Sequence, residues 1–587
     1  MSNLLITINP KHPDKFYVLT KKDVYSLGWE TDKKFESYYM KMSPWNLVDL
    51  FQQRKNLGLD IEYDSCVESI RENLLSELNI YKNAYKYRTM DITTLNDEWE
   101  SQGFPELFPH LIADEHQRRS TLWSLMVKKC GVYLEQGVGK TPVGILVLGK
   151  LLIDKQTKNP LVFAPLSSLS KTAWLKDLER FSEFKPINLR AGDDIGNTTG
   201  SVNFINYDTL QSWCFTKTEK AERSYYKENY FEIRKFDAIF YDESATLRNH
   251  TSYRSKAMME ICRHAKYLIF SSGVPAPNSV LQFYTQMYCI GSVLGDNALA
   301  FMNRYGKEKS IGPTTKFFPK PNAEQEIRKR IDLVSYFVTR KVALPDLPER
   351  LYHKVDIELH PEHMKLYNKV LKDYIAAISG FDENGNQLEG QILVEHEVTM
   401  YTKLLQIMDG FTKVKNDQDK SVHLSLPWNA KLEKLDEMIN EFLQDPECNI
   451  IIWCRFRFEI ETIYNKYKDK ASYIYGAMAD KKREECLVKW LEDKNCRIMV
   501  ALPKAAKYNH TWLKANKTIY YSGTPDYDDY CQSQDRNYRR GQTRVIDEYK
   551  LIVKDTIERL VWYAISTRKK VDLFIKEYVM DNMRYIK

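Results

Sequence analysis

The ten cysteines never come closer together than Cys448 and Cys454, so no C-x-x-C occurs. The paired-ligand spacing of a structural zinc site is therefore missing. Reduced, buried thiols, as in a cytosolic chain, are the expectation. H-E-x-x-H and G-x-S-x-G are missing too, which removes the zinc-protease helix and the hydrolase nucleophile elbow. No apolar run approaches the ~18 residues that span a bilayer. The densest, Gly144 to Ile153, is broken by Lys150. Asn9, Pro10, Lys11, His12 and Pro13 stand where a secretory leader needs its apolar stretch, so secretion is not expected. Solenoid-period repeats and low-complexity tracts are also lacking.

What is present is an ordinary globular composition. The 587 residues are 43% hydrophobic and 28% charged, too apolar for a disordered chain. At roughly 100–200 residues per domain, that length predicts about three to five domains or subdomains. Against 79 acidic residues stand 86 basic ones, for a net charge of +7. That balance permits nucleic-acid binding without requiring it.

Short apolar runs mark the organisation. Residues 1–104 begin with extended-looking Leu4 to Ile8 and Lys15 to Leu19, then show helical patterning from Trp45 to Leu78. They carry no catalytic motif and form an N-terminal accessory domain. In 105–344 the runs Gly131 to Leu134, Leu161 to Pro165, Val202 to Tyr207, Phe236 to Tyr241 and Tyr267 to Ser271 alternate with helix-like stretches. Apolar strands separated by helices predict a parallel sheet covered on both faces. Residues 345–428 read as a helical insertion or linker, with a polar interruption at Gly380 to Gly390. In 429–587 the alternation restarts at Asn449 to Cys454, Ser472 to Gly476, Arg497 to Leu502, Thr518 to Ser522 and Glu548 to Val553. The fold class is α/β, two sheet-bearing halves around a helical middle.

Two segments carry chemistry. Leu134-Glu135-Gln136-Gly137-Val138-Gly139-Lys140-Thr141 follows an apolar run and precedes the helical pattern Pro142 to Lys155. Glycines in that context let backbone amides approach phosphate oxygens at a helix N-terminus. Lys140 suits the β- and γ-phosphates and Thr141 a magnesium ion. Gly137, Val138 and Gly139 complete the loop, and Pro142 in the first helical turn loses no hydrogen bond. Leu134 stands where the strict pattern has its first glycine. The second segment, Phe236 to Glu243, is an apolar strand ending in Asp242 and Glu243. Asp242 suits magnesium held through water, and Glu243 suits activation of the attacking water.

Asp242-Glu243-Ser244-Ala245, then Leu247-Arg248-Asn249 and Ser255-Lys256-Ala257, resembles motif II of Swi/Snf-type superfamily-2 helicases. Other segments follow in the family's order. Gln117, within His116-Gln117-Arg118-Arg119, resembles the adenine-reading glutamine. Ala164-Pro165-Leu166-Ser167 with Trp174 is similar to motif Ia, and Ile205-Asn206-Tyr207-Asp208-Thr209-Leu210 to motif Ib. Ser272 to Ser279 is similar to motif III. Arg340-Lys341 and Asp346-Leu347-Pro348 resemble the link between the halves. Gln532 to Gln542 resembles motif VI, and Asp555-Thr556-Ile557-Glu558 the start of the closing helix. The resemblance extends over residues 105–565. It implies two tandem RecA-like parallel-sheet domains with helical insertions, bound to ATP and Mg²⁺. It also implies that Arg536 and Arg539 of motif VI reach the γ-phosphate. A basic patch for DNA phosphates is the other reading of Arg536, Arg539 and Arg540, and Arg540 is left to it.

The sequence departs from the family at Ala245, where motif II has histidine, and at Val274, where motif III has threonine. Both sites normally couple the ATP site to motif III, so looser or rewired coupling is expected. Motif V, Ala505 to Thr511, lacks its glycines; Lys507 there either faces nucleic acid or makes no contact. Ser522-Gly523-Thr524-Pro525 imitates motif III but is expected to end a strand. Motifs Ia, Ib and IV line a nucleic-acid groove in the family, which nominates Ser167, Asn206 and Arg455. The basic and aromatic run Lys82 to Arg88 reads as a solvated helix face before it reads as a nucleic-acid contact.

The resemblance therefore implies an ATP-dependent double-stranded DNA translocase or helicase. The compact size, with no chromodomain-like or bromodomain-like module, leads us to expect a role in replication, recombination or repair in a bacterial or bacteriophage setting. The rivals are a strand-separating or branch-migrating helicase, a motor that strips proteins such as RNA polymerase from DNA, and a nucleotide-gated scaffold with little turnover. The expected partner is duplex DNA, with no membrane. A monomer in the cytoplasm or on the nucleoid is expected.

Overall fold

The computed structural model describes residues 4–9, 12–19, 30–32, 37–41, 45, 61–63, 65–169, 174–190, 200–217, 224–226, 233, 235–311, 314–373, 375–381, 387–393, 397–415, 421–476, 478–504, 512–524 and 526–567. The chain divides into two compact units, Met1–Pro345 and Asp346–Lys587.

The core of the first unit is a seven-stranded sheet, parallel at every pairing. Its order is Ser335–Val338, Lys129–Leu134, Tyr267–Ser271, Ala238–Tyr241, Pro160–Ala164, Val202–Asn206, Pro186–Asn188. The apolar runs form these strands because both of their faces are buried. Leu161, Phe163, Ile239, Tyr241, Leu268 and Phe270 enter one hydrophobic core. Their alternates Val162, Ala164, Ala238, Phe240 and Ile269 enter another, with the helices Glu115–Val127 and Lys140–Ile153.

The N-terminal strands Leu4–Asn9 and His12–Leu19 join Glu30–Asp32, Ser37–Lys41 and Ile61–Tyr63 in a five-stranded sheet. Of the helical patterning expected from Trp45 to Leu78, residues 46–60 lie outside the described residues; Trp45 is helical, Ile61–Tyr63 is a strand and Ser65–Ala84 is a helix. In the run Lys82 to Arg88, Tyr87 is buried, and the Arg88 guanidinium lies over Trp123 and donates to the carbonyls of Asp332 and Ser335. Those two residues are internal packing rather than a solvated face.

The second unit is built on a six-stranded parallel sheet in the order Arg350–Ile357, Ile546–Val553, Lys517–Tyr520, Ile450–Trp453, Ile498–Ala501, Ala471–Ile474. The stretch 345–428, read as helical, differs. Arg350–Ile357 is an edge strand of this sheet. Its Leu351 and Tyr352 are 41% and 61% exposed, which removes the continuous apolar signature of a central strand. Two helices follow, Pro361–Asp373 and Glu397–Met408. With them is a four-stranded antiparallel sheet of Ile375–Phe381, Gln387–Leu393, Phe411–Lys415 and Ser421–Ser425. Val422 and Leu424 alternate with polar residues over too few positions to outweigh the helical patterns beside them.

Nine described cysteines are unpaired, eight of them buried. No helix among the described residues is long and apolar enough to cross a membrane.

Candidate functional site

The strand Lys129–Leu134 runs into the loop Glu135–Gly139, and the helix Lys140–Ile153 begins at once. Gly137 and Gly139 have φ of +78° and +92°, a left-handed backbone that side chains resist. At Gly139 a Cβ would also lie 2.0 Å from Gln117 Nε2, so a larger residue would push that amide away from the Gly139 carbonyl. Thr141 follows Lys140 in the first helical turn.

Neighbouring elements hold this loop from two sides. His116 Nε2 lies 2.8 Å from the Val138 carbonyl, which can only accept, so the imidazole donates there. Gln117 Nε2 donates to the Gly139 carbonyl at 3.4 Å, while its Oε1 accepts the Asp114 N–H at 2.8 Å. Across the loop, the Arg340 guanidinium donates to the Gln136 carbonyl at 3.0 Å, and the Arg340 N–H donates to Glu135 Oε2 at 2.7 Å.

The acid pair sits at the end of Ala238–Tyr241, one strand removed from Lys129–Leu134 in the sheet. Lys140 Nζ lies 3.0 Å from Glu243 Oε1. Ser272 Oγ donates to Glu243 Oε2 at 3.4 Å. Glu243 has φ of +50° and ψ of +54°, a left-handed conformation that costs about 1–3 kcal/mol for a residue with a side chain. The strain turns the chain sharply after the strand and presents the carboxylate to Lys140. Asp242 is buried, with Oδ1 accepting the Glu243 N–H at 3.0 Å and Oδ2 accepting the Trp174 indole N–H at 2.9 Å. Burial pushes its carboxyl up to about 6, helped by the charge of Glu243 and opposed by Lys140 and the indole. A cation entering beside it favours the ionised form.

Ala245 and Val274 lack the polar side chains expected to couple motifs II and III, and the fully buried Gln286 connects the same segments. Its Oε1 accepts from Ser244 Oγ and from Tyr133 OH, both at 2.8 Å, and its Nε2 donates to the Pro275 carbonyl at 3.0 Å. The sequence signal, a glutamine in the mostly apolar helix Tyr284–Gly291, was there but points to no partner.

Among the nucleic-acid candidates, Ser167 lies on the turn Leu166–Leu169 and Asn206 ends the strand Val202–Asn206. Both therefore lie at the C-terminal end of the first parallel sheet. In the second unit, Arg455 follows the strand Ile450–Trp453, donates to Tyr401 OH at 2.6 Å and lies 4.7 Å over that ring. Ser522 and its neighbours follow the strand Lys517–Tyr520, and Ser522 Oγ serves Glu459 and the Arg455 N–H. Motif V, Ala505 to Thr511, lies outside the described residues.

The motif VI segment, Gln532 to Gln542, begins in the last turn of the helix Tyr527–Gln534 and continues past it. Arg536 is buried, its Nε donating to the Gln532 carbonyl at 3.2 Å and its own carbonyl accepting the Trp512 N–H at 2.7 Å. Arg539 is half-buried and Arg540 exposed. Gln542 Nε2 fixes the segment by donating to the carbonyls of Asn537 and Leu513 at 2.9 and 3.1 Å.

The SNF2-related domain matches residues 116–419. A Mycoplasma pneumoniae protein named as an ATP-dependent helicase is 23% identical over 463 residues, 76% of this chain and 40% of its own. ATP-dependent helicase fft1 of Schizosaccharomyces pombe is 23% identical over 478 residues, 74% of this chain and 49% of its own. The chain thus spans about half the length, or less, of these curated relatives. Among solved structures, the Sulfolobus solfataricus SWI2/SNF2 ATPase core in complex with dsDNA is 19% identical. It covers 79% of this chain and 92% of its own, with a TM-score of 0.35.

Proposed function

Because the chain belongs to the SNF2-related family, we propose that it is an ATP-dependent translocase on double-stranded DNA, acting in replication, recombination or repair. The observation that carries the reading is the 3.0 Å pair of Lys140 and Glu243 beside a glycine loop at a helix N-terminus.

The residues fit a nucleoside triphosphate with its metal. Gly139 carries no side chain and turns left-handed into the helix Lys140–Ile153, which suits the backbone amides of its first turn to phosphate. Lys140 binds the β- and γ-phosphates, and Gln117 reads the adenine edge. Thr141 and Asp242 would hold Mg²⁺, which when bound neutralises phosphate charge. Glu243 accepts the proton of the attacking water, and Ser272 orients that carboxylate. Arg536 and Arg539 meet the charge developing on the γ-phosphate. Ser167, Asn206 and Arg455 follow the phosphate backbone of the nucleic acid and carry little sequence information.

Phosphate release tests the reading, compared across single-stranded, duplex, forked and four-way DNA and RNA. Duplex DNA should stimulate most, and the stimulation should fall as salt rises. Greater stimulation by RNA, or turnover indifferent to every nucleic acid, overturns it.

A further inference from the structure

Two buried aromatic residues from different segments converge on Asp242. Trp174, the first residue of the helix Trp174–Phe181, donates its indole N–H to Asp242 Oδ2 at 2.9 Å. Tyr207, the first residue of the helix Tyr207–Cys214, donates its hydroxyl to the Asp242 carbonyl. One bond fixes the carboxylate rotamer, and the other fixes the peptide that aims it. Buried indole N–H and phenol O–H groups usually find partners, and any backbone carbonyl would serve. Here both use the same acidic residue.

Packing makes these contacts stiff. The Trp174 ring meets Phe240 and Phe204 edge-on at 5.4 and 6.0 Å. A Cβ on Gly144, in the helix behind the phosphate loop, would fall 2.4 Å from the indole, so that glycine makes room for it. Tyr207 stacks on Tyr241 at 5.3 Å, with the Arg254 guanidinium 5.1 Å over its ring. Neither aromatic can turn away without disturbing the core.

Both helices begin just beyond the candidate nucleic-acid residues. The Ser167 turn precedes Trp174, and Asn206 is bonded directly to Tyr207. A shift of the backbone at Asn206 therefore moves a hydroxyl that holds the metal-binding residue. We propose that Trp174 and Tyr207 are positioning residues that set Asp242 for metal binding and relay nucleic-acid contact to it. This rests on the reading of the chain as a nucleic-acid-stimulated ATPase.

Trp174→Phe and Tyr207→Phe each delete one donor and keep an aromatic ring. The test measures Mn²⁺ binding to the full chain with ADP, by paramagnetic resonance, beside ATP hydrolysis with and without duplex DNA. Loss of a partner that orients a metal-binding group costs roughly 10–100-fold in metal affinity. Each variant should weaken Mn²⁺ binding about tenfold and lower duplex-stimulated kcat, with KM for ATP little changed. Because both act through Asp242, the double variant should lose less than the product of the single losses. Mn²⁺ affinity and duplex stimulation like wild type in both variants overturn the proposal. So do losses that merely track a lower unfolding temperature. If Trp174→Phe does not fold, Tyr207→Phe decides by the same criteria. If the wild-type chain hydrolyses ATP regardless of nucleic acid, the functional reading falls, and the Mn²⁺ measurement still decides the positioning role.

Discussion

Lys140 Nζ and Glu243 Oε1 form an ion pair at 3.0 Å, joining two residues 103 apart in sequence. The pair is only partly exposed, with 12% and 26% of the side chains accessible. It brings the cation proposed to bind phosphate and the carboxylate proposed to activate water to one point. A phosphate group entering the loop competes for the ammonium and releases the carboxylate. Lys140→Ala should abolish ATP hydrolysis while far-UV dichroism stays native. Hydrolysis close to the wild-type rate would remove the phosphate loop assignment.

Glu243→Gln keeps the size and the strained backbone of the residue but removes the base. Losing a general base typically costs roughly 10²–10⁴ in rate. The variant should bind ATP as wild type does and hydrolyse it at least about a hundredfold more slowly. A parallel loss of nucleotide affinity would instead make Glu243 a residue that holds the loop through Lys140.

Legibility in the sequence followed burial and spacing. Gly131 to Leu134 of the strand Lys129–Leu134, with Pro160–Ala164 and Ala238–Tyr241, are apolar because both faces of the sheet are covered, and their runs stand out. Arg350–Ile357 is hidden because an edge strand need not be apolar on both sides. Lys140, Asp242 and Glu243 announce themselves by motif. Gln286, Trp174 and Tyr207 act through distant partners, up to 153 residues away for Gln286 and Tyr133. No local pattern encodes such a pairing, so their roles need the fold.

In the second unit, Lys431 is fully buried between Asp409 and Glu558. Its Nζ donates to Asp409 Oδ1 at 2.6 Å and to Glu558, whose Oε2 accepts the Val553 N–H at 2.9 Å. One ammonium faces two carboxyls away from water, and both acids are held above their ordinary range by burial, Glu558 at about 7. The folded chain therefore binds the Glu558 proton more tightly than the unfolded chain. That stabilisation is complete below the ordinary value of 4.5 and is lost as pH rises through about 7. Replacing Glu558 by Gln should make the dependence of unfolding free energy on pH shallower between these limits. Parallel wild-type and variant curves in denaturant titrations at pH 5.5 and 7.5 would show that Glu558 does not titrate there. Lys431→Met strands two buried carboxyls and should cost about 3–5 kcal/mol.

The remaining prediction sets the register of the arginine motif. Gln532 to Gln542 places Arg536, Arg539 and Arg540 within five residues, and the structure treats them unequally. Arg536 is buried and bonded to the Gln532 carbonyl, Arg539 is half-buried, and Arg540 is exposed at the point where Gly541 turns the chain with φ of +95°. An arginine that meets charge developing on the γ-phosphate stabilises the transition state more than bound ATP. Arg539→Ala should then lower kcat by about 10²-fold or more and leave ATP affinity, measured without DNA, nearly unchanged. Arg540→Ala removes an exposed guanidinium and should be mild, with any effect appearing as weaker duplex binding at raised salt. The two variants measured side by side decide the matter. If Arg540→Ala stops hydrolysis and Arg539→Ala does not, the motif is shifted by one residue and Arg539 loses its role at the γ-phosphate.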